Sequence, residues 1–268
     1  MIIKLTDSDL SKIKANFHTH TVYCDGKYTA ALMAQAAYEK GFTHLGFSAH
    51  SMFPFAGKWH IPLEKIAEYK EEIYRLKEEY KGRMEIAFGF EADWFPPVTA
   101  PQKELYAEWA PDFIIGSVHY IATDKGHCSV DHRADRVKRG LDIVFGGDGK
   151  AFVKAYFAAE RKMLETGGFD ILGHADLVRK RNGELHFFDE NENWYRDELI
   201  LTADAIAKAG VIVEVNTGGI YRGAIDDVYP SADFLALLKE RNVPVCINSD
   251  AHTTDGIDAA FDRAIEAV

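Results

Sequence analysis

The sequence predicts an α/β protein, a barrel of seven β/α units, (β/α)7, with its active site at the carboxyl ends of the strands. Two observations carry this. Short apolar runs alternate with helical patterns from end to end, the signature of βαβ units around a parallel sheet. Six of those runs close on a histidine, glutamate or aspartate, and parallel barrels build their sites where strands end. At 268 residues the chain fits the range that such barrels occupy as one unit. No linker, repeat or low-complexity stretch divides it, so residues 1-268 are read as one domain.

The seven runs are "ANFHTH" (15-20), "THLGFSAH" (43-50), "MEIAFGFEA" (84-92), "DFIIGSVHY" (112-120), "FDILGHA" (169-175), "GVIVEVNT" (210-217) and "VPVCINSDAH" (243-252). Each is apolar nearly throughout, as strands covered on both faces are. Between them Ile66, Tyr69, Ile73, Leu76 and Tyr80 step by three and four, as do Phe152, Ala155, Ala159 and Met163, which is helical spacing. Gly41, Gly82, Gly167 and Gly210 follow the last periodic residues like helix C-terminal caps. The connections 51-63, 121-149 and 176-196 are longer than tight turns and are expected to be lids or binding loops.

Composition narrows the function classes. Hydrophobic residues make up 47% and charged residues 27%, a globular balance. No apolar run reaches the roughly 18 residues that span a bilayer, and the opening "MIIKLTDSDLSKIK" lacks the apolar block of a secretory signal; the cytoplasm is the expected location. Cys24, Cys128 and Cys246 are odd in number and far apart, which speaks for reduced thiols. A net charge of -11 argues against nucleic acid or an anionic membrane as partner. A small molecule remains, and the pattern selects no oligomeric state.

The strand ends bear the chemistry. Residues two apart in an extended strand point to the same side, so His18 pairs with His20 and Asp250 with His252. His50, Glu91, His119 and His174 close the runs between. Imidazole and carboxylate donors without thiolates suit zinc, iron or manganese at a catalytic site, and there are too many here for one ion.

In the order "FHTH", "CDG", "SAHS", "GFEADW", "GSVHY", "GHADLVRK" and "NSDAH", the chain resembles the polymerase and histidinol phosphatase (PHP) family over nearly its whole length. The resemblance implies a TIM-like, distorted (β/α)7 barrel with three divalent metal ions (zinc, iron or manganese). One would be held by His18, His20, Glu91 and Asp250. Glu91 would bridge to a second, completed by His119 and His174, and a third would take Asp25, His50 and His252. Arg179 and Arg222 resemble the phosphate-binding arginines of the histidinol-phosphatase branch, and guanidinium suits phosphate as a bidentate fork. The implied reaction is hydrolysis of L-histidinol phosphate to L-histidinol and phosphate in histidine biosynthesis, with His18, His20, Glu91, Asp250 and His252 at the catalytic centre. Three divalent ions bring about +6, against about -3 from Asp25, Glu91 and Asp250, so the centre favours an anion. Such ions also lower the pKa of water, giving a hydroxide for in-line attack on phosphorus.

Three alternatives stand beside this reading: a PHP phosphoesterase acting on another small ester such as a nucleotide, an amidohydrolase barrel, and a non-catalytic metal-binding module. His44, at the far end of its strand, is expected to be structural. His60, His127, His132 and His186 are expected at the surface of the long loops. Cys24 must lie near the metals without ligating them. Phe53 or Trp59 either stacks on a substrate ring or simply packs, and Asp93 is a candidate to orient a ligand histidine.

Overall fold

The computed structural model describes residues 14-268. All but the last residue of the opening segment, and the first part of the domain drawn over 1-268, lie outside the described residues. Among the described residues nine strands form: β1 (Ala15–Asn16), β2 (His44–Ser51), β3 (Glu85–Asp93), β4 (Phe113–Ser117), β5 (Tyr120–Thr123), β6 (Gly126–Ser129), β7 (Ile171–Leu172), β8 (Ile212–Asn216) and β9 (Val245–Asn248). Seven make one sheet in the order β1-β2-β3-β4-β7-β8-β9, every pairing parallel. The sheet curls into a nearly closed barrel. β5 and β6 are an antiparallel hairpin apart from it.

Helices cover the outside: α1 (Ala30–Glu39), α2 (Ile66–Glu79), α3 (Ala134–Phe145), α4 (Gly149–Thr166), α5 (Asn182–Leu185), α6 (Asn193–Ala209), α7 (Gly218–Tyr221), α8 (Ala232–Glu240) and α9 (Phe261–Ala267). Side-chain oxygens of Thr29, Asp148 and Ser231 accept from the free backbone N–H groups that open α1, α4 and α8, which begin there because those donors have no partner within the helix. The inferred stops also hold: Gly41, Gly82, Gly167 and Gly210 all have positive φ. Ile66, Tyr69, Ile73, Leu76 and Tyr80 are buried along one face of α2.

Two apolar layers result. The larger lies between sheet and helices. The smaller plugs the barrel interior with Ala15, Phe17, Phe113, Ile115, Ile171, Ile212 and Cys246. Phe113 fits because Gly46 and Gly89 lack side chains; a Cβ at either position would come within 2.8 and 2.5 Å of its ring. Continuing with period two, Gly46 and Gly89 lead to His50 and Glu91, which are register partners on β2 and β3. The apolar plug thus forms the floor under the donor residues.

β1 and β9 meet without a regular ladder. A parallel bridge joins Thr19 to Ala251, with Ala251 N–H donating to the His18 carbonyl at 3.0 Å and His20 N–H to that of Ala251 at 2.8 Å. Below it, Phe17 N–H donates to Asn248 Oδ1 at 2.7 Å and Asn16 Nδ2 to Ser249 Oγ at 2.7 Å. Side chains therefore complete the seam.

Several strands are shorter than their apolar runs. The run 15-20 is a ladder only over Ala15–Asn16, 169-175 only over Ile171–Leu172, and 243-252 only over Val245–Asn248. His174 (φ 25°) and Asp250 (φ 51°) turn the chain out of extended conformation, so these two donors have left the sheet, whereas His50 and Glu91 remain within β2 and β3. Nor is the connection 121-149 an irregular loop; it holds most of the β5-β6 hairpin and α3.

Candidate metal centre

All nine candidate donors meet at the carboxyl mouth of the barrel. Glu91 is the hub. Its Oε2 lies 3.0 Å from His18 Nε2, 3.5 Å from His20 Nε2 and 2.8 Å from His50 Nδ1, while Oε1 lies 2.9 Å from His174 Nε2 and 3.3 Å from His119 Nε2. Asp250 Oδ1 sits 3.1 Å from His20 Nε2 and 3.6 Å from His18 Nε2. Asp25 faces His252 Nε2 at 3.2 Å and His50 Nε2 at 3.6 Å. Three overlapping sets have donor atoms close enough to share an ion: His18, His20 and Asp250; His50, Glu91 and His119; and His20, Asp25, His50 and His252.

These donors fit cations better than they fit one another. His18 Nδ1 is 2.8 Å from the Glu214 carboxylate and His119 Nδ1 is 2.5 Å from that of Asp93, which assigns the ring protons to Nδ1 and turns the Nε2 lone pairs inward. The inward atoms then face carboxylate oxygens that also carry only lone pairs. His18 Nε2, His20 Nε2, His50 Nδ1 and Glu91 Oε2 are buried without a hydrogen-bond partner, a costly arrangement that divalent ions would relieve. With no ion bound, the carboxylates outweigh burial and raise the pKa of His18, His50 and His119, so that protons stand where divalent ions would. Burial and the neighbouring imidazoles of His50 and His252 push His20 down to about 3, keeping it a neutral donor. Burial works against the charge of Glu91, but the imidazoles of His18, His50 and His119 outweigh it and hold its pKa well below the usual carboxylate range.

Supporting residues hold the donors. Glu214, inside β8, accepts from His18 Nδ1, the His174 backbone N–H, Asn216 Nδ2 and Asn248 Nδ2 at 2.8 to 2.9 Å. The sequence reading missed it, although a lone carboxylate within "GVIVEVNT" is a signal that the strand faces something polar. Asp93 orients His119, as anticipated, and also His60, whose Nε2 lies 2.7 Å away. The surface expectation for His60 is thereby corrected: it is buried, bonded to Asp93 and stacked on Trp59 with ring centres 3.8 Å apart. Cys24 Sγ is 3.5 Å from His20 Nδ1, and burial, aided by Asp25, pushes its thiol up to about 12, so it stays protonated.

A cavity of about 390 Å³ opens over the centre, within the range of small-molecule sites; Asp25, His50, His119, His174, Asp250 and His252 line it together with Trp59, Tyr120, Asp131, Lys180 and Arg222. Arg222 reaches it from the turn after α7, donating to Asp250 Oδ2 at 2.6 Å and to the Asp250 carbonyl at 2.9 Å. Arg179 does not line it. Its guanidinium is buried and occupied, donating to Glu190 at 2.7 Å, Asp227 at 2.9 Å, the Val228 carbonyl at 3.3 Å and Asp176 at 3.4 Å. The structure thus does not bring Arg179 to the cavity expected for phosphate, whereas its neighbour Lys180 lines it. Trp59 stands edge-on to His50 at 4.6 Å and donates to Tyr120 at 3.3 Å, whereas Phe53 packs away from the cavity against Trp109.

A seven-stranded parallel barrel with histidines and carboxylates converging at its mouth defines a metal-dependent hydrolase site. The PHP domain model matches residues 16-218, and the chain belongs to that family. A Deinococcus radiodurans protein named "Probable histidinol-phosphatase" is 29% identical over 254 residues, covering 94% of this chain and 91% of its own. Among solved structures, a Listeria monocytogenes protein provisionally named a histidinol phosphatase superposes with TM-score 0.84 at 20% identity, over 93% of this chain and 99% of its own. The histidinol phosphate phosphatase of Lactococcus lactis, solved with zinc, L-histidinol and phosphate, gives 0.67 at 20% identity, over 95% and 93%. Among the described residues no helix is long and apolar enough to cross a membrane.

Proposed function

We propose that this chain is a metal-dependent phosphomonoesterase that hydrolyses L-histidinol phosphate to L-histidinol and inorganic phosphate, a step of histidine biosynthesis. The observation that carries the reading is the convergence of nine imidazole and carboxylate donors beneath a cavity that also presents Lys180, Arg222 and the Trp59-Tyr120 wall. The names of its relatives support the choice of substrate.

His18, His20, Glu91 and Asp250 would hold one ion, Glu91 with His119 and His174 a second, and Asp25 with His50 and His252 a third. When bound, divalent ions supply Lewis acidity at phosphorus and lower the pKa of water. The chain's own residues do the rest. Glu214 and Asp93 hold the protons of His18 and His119 at Nδ1, leaving Nε2 free to ligate. Arg222, braced on Asp250, places fixed positive charge where the ester's phosphate enters. The flat face of Trp59, fixed by its hydrogen bond to Tyr120, offers a surface for an imidazole ring.

Phosphate release by protein reconstituted with zinc, iron or manganese tests this, with L-histidinol phosphate, a nucleoside monophosphate and p-nitrophenyl phosphate compared. Strong preference for histidinol phosphate is expected. Equal, weak turnover of all three would leave a phosphoesterase without this substrate, and no turnover by fully metallated protein would remove the enzymatic reading.

A further inference from the structure

Three carboxylates line the cavity: Asp25, Asp250 and Asp131. The first two belong to the proposed metal set. Asp131 lies two residues beyond β6, and Val130 N–H donating to the His119 carbonyl at 3.0 Å fixes its loop beside the centre. Ser129 Oγ donates to Asp131 Oδ1 at 3.1 Å and Lys180 Nζ to Oδ2 at 3.1 Å. The carboxylate is therefore held in place and charge-paired, yet half-buried with 27% of its side chain exposed, and two oxygens with several lone pairs between them keep room for another donor.

Lys180 reaches one oxygen and Ser129 the other, so the ion pair leaves the carboxylate's remaining lone pairs on the cavity wall, where they suit a cationic donor of the ligand and not its phosphate. We propose that Asp131 receives the ammonium group of the substrate, making the site selective for amino-alcohol phosphates over esters without a cation. Lys180 acts as its positioning residue. The inference rests on the phosphomonoesterase reading above and adds the residue that sets specificity within it.

The experiment compares zinc-reconstituted wild type with Asp131→Asn and Asp131→Glu, using L-histidinol phosphate, its deamino analogue and p-nitrophenyl phosphate. In wild type the deamino ester should show the higher KM. In Asp131→Asn the preference for histidinol phosphate over the deamino ester should fall about 10- to 100-fold, the worth of a charge-assisted hydrogen bond. The loss should sit in KM, and Asp131→Glu should recover part of it. An unchanged ratio, including an equal fall on both esters, overturns the inference and leaves the substrate reading standing. Wild type that turns over p-nitrophenyl phosphate without preferring histidinol phosphate overturns both. Wild type that treats the amino and deamino esters alike overturns the inference even if the asparagine variant fails to fold.

Discussion

At the scale of single residues, Arg179 and Lys180 are neighbours with opposite fates. Both sit in the 3-10 turn Leu177–Arg181, where consecutive side chains diverge by about a third of a turn. Arg179 turns in to Glu190, Asp227 and Asp176, while Lys180 meets Asp131 at the cavity. Arg179→Ala would leave those carboxylates without their cation, so the variant should lose about 3 kcal/mol of stability, measured by urea unfolding. Wild-type stability with a raised KM would instead return Arg179 to phosphate binding. Glu214 offers a second test. Its carboxylate fixes the His18 ring from behind, and Glu214→Gln should weaken metal binding about 10- to 100-fold; chelator competition reads this, and unchanged affinity would reduce Glu214 to a buried polar residue.

At the scale of elements, the barrel floor depends on two glycines. Gly89→Ala on β3 would press a methyl into Phe113, and overpacking of this kind should cost about 1 to 3 kcal/mol, seen as a lower midpoint in thermal unfolding; an unshifted midpoint would mean that Phe113 repacks freely. Helix α4 carries a different strain. Glu160 is buried against Tyr156, and burial, reinforced by Asp176, raises its pKa well above 4.5. A carboxyl whose folded pKa is raised stabilises fully below its unfolded pKa and loses that contribution as pH rises through the folded value. Glu160→Gln should therefore gain stability over wild type progressively above about pH 5, with little difference below; a pH-independent gap between the two melting curves would argue against it. Much of this architecture was legible in advance. Strands covered on both faces declare themselves as apolar runs, and the stops at Gly167 and Gly210 followed from periodicity ending at glycine. The hairpin was not legible, because "YIAT" and "GHCS" are short and half polar. Eight of the candidate donors were legible because they close apolar runs, whereas Asp25 entered only through the resemblance to the family. Asp131 and Lys180 were missed because no periodicity marks a residue that acts from a loop or a single turn.

At the scale of the whole molecule, the proposed centre and the barrel's closure are one problem. His18 and His20 follow β1, Asp250 and His252 follow β9, and these are the two strands that share a bridge and a few side-chain bonds in place of a ladder. Across that seam His20 Nε2 and Asp250 Oδ1 stand 3.1 Å apart, so an ion bound there would tie the first strand to the last. Without it, the crowded carboxylates of Glu91, Asp25 and Asp250, of which Arg222 offsets only the last, and the inward lone pairs remain to push the seam apart. Because a ligand that binds only the folded state stabilises it by mass action, chelation should lower the melting temperature of the protein. The loss should begin locally, since opening follows the least-bonded boundary first. In hydrogen exchange, the amides of Ala251, His20 and Phe17, which bridge the seam, should lose protection on metal removal well before those of the β2-β3 ladder, where eight register pairs run without a break. A uniform loss across all seven strands would show instead that the metals stabilise the barrel as a single cooperative unit and that the seam closes without them.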